Sequence, residues 1–138
     1  MSDIIKNNWK QDHVAHAVKD IEASIAFYQN IFGFSLIHRE DLPNVKLAFI
    51  GLANTKIELL ESINNQSLDK FIKERGETLH HICFEVDDIR AELAALKEKG
   101  VELIDETPRQ GAENREIAFL KPETTNGVLI ELCSKPLK

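Results

Sequence analysis

The chain has 138 residues, 43% of them hydrophobic and 29% charged, with 17 basic against 23 acidic side chains and a formal net charge of −6. That length is expected to make one ordinary domain, residues 1–138, which buries a core without disulfides or a structural metal, so any metal in it is functional. The charge speaks against nucleic acid or an anionic lipid surface as partner, and no apolar run approaches the roughly 18 residues of a membrane span.

The opening segment MSDIIKNNWK lacks the apolar stretch and small-residue cleavage site of a secretory leader, and the expected location is the cytoplasm. After it, Val14 to Val18 alternates in the manner of a strand. Asp20 is a good N-cap for a helix carrying Ile21, Ile25, Tyr28 and Phe32 at helical spacing, and Gly33 suits the left-handed position that ends it. Three β-prone runs follow, near 34–38, 45–51 and 56–61. Leu68, Phe71 and Ile72 then predict a short amphipathic helix ending at Gly76.

From here the pattern repeats. Ile82 to Val86 reads as a strand, Asp88 caps a helix bearing Ile89, Leu93 and Leu96, and Gly100 closes it. Strands are expected near 101–104, 115–121 and 127–133. Cys83 and Cys133 lie singly inside apolar runs and read as buried reduced thiols.

The two halves match weakly but in order. DHVAHAVKDIEASIAFYQNIFGF aligns with HHICFEVDDIRAELAALKEKGV, LAFI at 47–50 with IAFL at 117–120, and KIELL at 56–60 with LIELC at 129–133. The fold class is therefore α+β: two βαβββ modules, about 12–61 and 79–133, paired around a pseudo-twofold axis and joined by the short helix.

This register sets His13 against His81 and Glu58 against Glu131. Side chains alternate between the two faces of a strand, so the apolar positions Val14, Val18, Ile57, Leu59, Ile82, Phe84, Val86, Val128, Ile130 and Leu132 fall on a face for the helices to cover. The four His and Glu side chains fall on the other face, among small neighbours such as Ala15, Ala17 and Cys83. Two imidazoles and two carboxylates make a nitrogen and oxygen donor set suited to a divalent metal such as Co, Mn, Ni, Zn or Fe. A single strand histidine is usually structural and a single glutamate usually solvated; recurrence at matched positions is what makes these four a site. His16, His38 and His80 have no such counterpart and are read as structural or exposed.

These residues resemble the vicinal oxygen chelate (glyoxalase/bleomycin-resistance) superfamily and, within it, the methylmalonyl-CoA epimerases. The likeness rests on residues 12–34, GLANTKIELLE, LHHICFEVDDI, LIDETPRQGA and IAFLKPETTNGVLIELC. It implies that His13, Glu58, His81 and Glu131 hold a divalent metal (Co, Mn, Ni or Zn) and that the substrate is an acyl-CoA. It further implies a homodimer, and epimerisation by removal and return of the α-proton through a metal-stabilised enolate. Glu131 is the catalytic base on this reading. Some epimerases have a second glutamate where this chain has Leu47, which cannot carry a proton, so the second acid/base is unassigned. Lys121-Pro122-Glu123 stands where His-Pro-Lys is common. Segment 105–116 reads as a mobile cover or a solvated connector, and Arg109, Arg115 and Lys121 as candidates to meet CoA phosphates or a substrate carboxylate. Two alternatives stay open: a glyoxalase I, and a non-catalytic binding protein for an antibiotic or similar small molecule.

Overall fold

The computed structural model describes residues 8–136. The leader expectation for the opening segment therefore falls almost entirely outside the described residues. The chain folds into two compact units, His13–His80 and, among the described residues, 8–12 with 81–136.

In the unit His13–His80 the strands are β1 (Lys10–Ala17, which enters from the other unit), β2 (Ser35–Leu42), β3 (Val45–Gly51) and β4 (Lys56–Ser62), ordered β2-β3-β4-β1. β1 runs parallel to β4, and the remaining pairs are antiparallel. Helix α1 (Ile21–Phe32) starts at Asp20, whose carboxylate accepts the Ala23 N–H at 3.1 Å, and stops at Gly33 in the left-handed conformation. Such a cap contributes about 1 kcal/mol. The helix lays Ile21 and Ile25 on Val18, Ala48, Ile50 and Leu59, with Tyr28, Phe34 and Ile57 at the margin. Helix α2 (Gln66–Arg75) is capped by Asn65 and ends at Gly76.

The second unit repeats this plan with β5 (Leu79–Glu85), β6 (Arg109–Gln110), β7 (Glu116–Leu120) and β8 (Ile130–Cys133), ordered β5-β8-β7-β6. Helix α3 (Ile89–Glu98), capped by Asp88 on the Ala91 N–H at 3.1 Å, packs Ile89 and Leu93 on Val86, Leu103, Ala118, Leu120 and Leu132.

Two expected strands change. Residues 101–104 form no strand; only Leu103 bridges to Leu120. The reason is local: the Ile104 and Asp105 N–H groups both donate to the Phe119 carbonyl, and the Asp105 carboxylate accepts the Phe119 N–H at 2.8 Å. That turn takes up the β7 partners, Pro108 offers no donor, and the outer strand resumes only at Arg109. The strand expected over 127–133 begins at Ile130, because Gly127, at φ +85°, bonds back to the Pro122 carbonyl and Thr125 Oγ1 holds the Val128 carbonyl. Val128 is exposed rather than placed on the helix-covered face.

Candidate metal-binding residues

Strand register fixes what shares a face in each unit. In the first, Glu58 lies opposite Ala15 on one side and Phe49 on the other. The face away from α1 thus carries His13, Ala15, Ala17, Lys56, Glu58, Leu60, Leu47 and Phe49. In the second unit Glu131 lies opposite Cys83 and Phe119, so His81, Cys83, Glu131, Cys133, Ile117 and Phe119 share the face away from α3.

Each unit then holds the same three-residue group. His13 Nε2 stands 3.2 Å from Glu58 Oε1, and the edge of its ring meets Phe49 at 5.3 Å. His81 Nε2 stands 3.0 Å from Glu131 Oε1, with Phe119 edge-on at 5.2 Å. All four residues are 5–6% exposed. Burying a carboxylate costs several kcal/mol unless a cation or donors compensate. Two donors bound at a right angle about 2.1 Å from one ion lie about 3.0 Å apart. The His and Glu spacing in both pairs fits that, and imidazole with carboxylate is a donor set for first-row divalent ions. The residues present fit the metal in chemistry and spacing.

Cys83 and Cys133 are both buried free thiols. Burial, and after it the hydrogen bond with Cys133 and the charge of Glu131, push the Cys83 thiol well above its ordinary pKa, so it stays protonated.

Arg115 is not available to a ligand phosphate. Its guanidinium is buried and bonds Asp12 and Glu85, each at 2.9 Å, the Ser134 carbonyl at 2.8 Å and Cys133 Sγ at 3.1 Å. Burial works against its charge, but Cys133, Asp12 and Glu85 outweigh it and raise its pKa. Arg109 and Lys121 remain at the surface, paired with Asp105 and Glu102. Segment 105–116 is tied down by the β6 pairing with β7 and by Gly111 bonding to Arg115.

His16 and His80 take structural places, His16 beside the Tyr28 hydroxyl at 3.2 Å and His80 against the Phe71 ring. His38 does not. A bulge between Leu36 and His38 turns His38 onto the face of His13 and Glu58, opposite Phe49, where its Nε2 meets Glu40 Oε1 at 2.9 Å.

The sequence profile of the Glyoxalase/Bleomycin resistance protein/Dioxygenase superfamily matches residues 12–119. An uncharacterized Bacillus subtilis protein, YqjC, is 40% identical over 125 residues, 88% of this chain and 89% of that one. The ethylmalonyl-CoA/methylmalonyl-CoA epimerase of Cereibacter sphaeroides is 40% identical over 126 residues, covering 88% and 94%. The crystal structure of methylmalonyl-CoA epimerase from Mycobacterium tuberculosis superposes with a TM-score of 0.87 at 31% identity, covering 94% of this chain and 89% of that one.

Proposed function

The chain belongs to the Glyoxalase/Bleomycin resistance protein/Dioxygenase superfamily, and from that premise we propose that it is a metal-dependent epimerase of methylmalonyl-CoA or a related acyl-CoA. The observation that carries this reading is the buried His, Glu and Phe group that occurs once in each unit. On this reading His13, Glu58, His81 and Glu131 would hold one divalent ion, Co, Mn, Ni or Zn. When bound, that ion supplies a fixed positive charge for the substrate carboxylate and thioester oxygens as the α-proton leaves.

The protein's own residues do the rest. Glu131 takes the α-proton on one face and returns it in the reverse direction. Phe49 and Phe119, edge-on to the histidines, fix both imidazole planes and keep water from the donors. Ala15, Ala17 and Cys83 are small and fully buried beside these side chains. Arg109 and Lys121 supply positive charge in an otherwise acidic protein for the anionic CoA.

The test is exchange of the α-proton of methylmalonyl-CoA with deuterated solvent, measured across Co, Mn, Ni and Zn with Glu131→Gln as control. Exchange that needs metal and falls at least about a hundredfold in the control is expected. No exchange by protein that holds metal sinks the reading. Turnover of the methylglyoxal–glutathione hemithioacetal instead would assign a glyoxalase I, and tight ligand binding without metal a binding protein.

A further inference from the structure

Inverting an α-carbon takes two proton-transfer groups, one on each side of the carbon. Glu131 accounts for one. On β3 the aliphatic Leu47 is 1% exposed and carries no proton. We propose that Glu40, held by His38 on the neighbouring strand β2, is the second group; this rests on the epimerase reading above.

Register makes the case. Glu40 is the cross-strand partner of Leu47, as His38 is of Phe49, and such partners project on the same side of a sheet. Leu47 in turn lies opposite Leu60, and Phe49 opposite Glu58. His38 and Glu40 therefore share the face that carries His13 and Glu58. Phe49 links the two pairs, edge-on to the His13 ring and 6.1 Å from the His38 ring. Two strand spacings of about 4.8 Å separate the backbones of β2 and β4, a span within the combined reach of Glu and His side chains. Lys56, whose ammonium sits 4.6 Å from the Phe49 centroid, lies on this face too.

Exposure separates the two pairs. The His13 and Glu58 side chains are each 7% exposed, as suits residues closed around an ion, whereas those of His38 and Glu40 are 34% and 28% exposed. That exposure gives the His38 and Glu40 pair direct access to solvent protons. An ordinary exposed ion pair contributes little to stability, so folding does not require this one.

The chemistry balances. Glu131 takes the α-proton, the C–H bond breaks and its electron pair moves toward the thioester carbonyl. Glu40, starting as the neutral acid, gives its proton to the opposite side of the carbon, forming the new C–H bond and leaving a carboxylate. His38 Nε2, 2.9 Å from Glu40 Oε1, passes a solvent proton to Glu40, and Glu131 releases its own to solvent.

The experiment follows each methylmalonyl-CoA epimer separately in deuterated solvent, with metal content measured on every protein. In Glu40→Gln, interconversion is expected to fall about 10² to 10⁴-fold. The metal is retained, and the epimer whose α-hydrogen Glu131 takes still exchanges it with retention of configuration. Adding Leu47→Glu to Glu40→Gln restores interconversion, because position 47 faces the same space. Interconversion within threefold of the wild type in Glu40→Gln overturns the assignment. So does loss of exchange together with interconversion in a variant that holds metal, since Glu40 would then be binding substrate rather than serving one face. Absence of exchange in the wild-type protein overturns the epimerase reading itself.

Discussion

The two units carry the same His, Glu and Phe group but different outer strands. Leu47 and Ile117 occupy matching positions on β3 and β7. Opposite Leu47 stands Glu40, beside His38; opposite Ile117 stands Arg109, paired with Asp105 and 5.7 Å from the Phe119 centroid. One duplicated position thus holds a carboxylate in one unit and a guanidinium in the other. The units also differ at the start of these strands, where the buried Arg115 occupies the position matched by Val45. The His, Glu and Phe group recurs and the outer-strand residue does not: on the proposed reading the copies share the candidate metal residues and differ in what their outer strands offer a substrate.

The sharpest way to break this comparison is to remove one histidine from each unit in turn. His13→Ala and His81→Ala are each expected to lower metal affinity at least about a hundredfold and to abolish proton exchange. The check is elemental analysis after dialysis against a chelator, beside the exchange assay. If either variant keeps half of the wild-type metal, each unit binds its own ion and the four residues do not form one set.

Arg115 tests the second difference. Arg115→Ala leaves Asp12 and Glu85 facing one another without their cation, and breaking a buried pair in this way costs about 3–5 kcal/mol. Val45→Ala, at the matching place in the other unit, has no charge to strand and costs no more than about 1.5 kcal/mol. Urea unfolding of both variants measures the difference. Equal losses would mean that the Arg115 network contributes no more than the packing of its aliphatic stem.

Much of this was legible in the sequence because it is written twice. The caps at Asp20 and Asp88, the glycines that end α1 and α3, and the alternation that puts His13 with Glu58 and His81 with Glu131 on one face are local patterns, and duplication fixes their alignment. What escaped depends on departures from strict alternation. Counting by twos from Leu36 sends His38 to the helix-covered side; the bulge at Ile37 reverses that parity, and with it the side on which Glu40 emerges. A glycine at position 51 allows it, since a Cβ there would lie 2.9 Å from Ile37 Cγ2. Arg115 misled for another reason. A basic residue in a polar stretch reads as exposed, and its burial depends on Asp12 and Glu85, 103 and 30 residues away in the chain.

Arg109 carries the mildest and most diagnostic prediction. Its guanidinium lies on the edge strand, more than half exposed and fixed in position by Asp105 and the Phe119 ring. A charge held there attracts an anionic substrate in ground and transition state alike, so removing it should weaken binding without slowing the chemistry. Arg109→Gln is expected to raise KM for acyl-CoA about tenfold, equivalent to about 1.4 kcal/mol, with kcat changed less than about twofold. Raising the salt concentration should shrink the difference, because the charge is solvent-exposed. A fall in kcat with KM unchanged would place Arg109 at the reacting carbon rather than on the anionic part of the substrate.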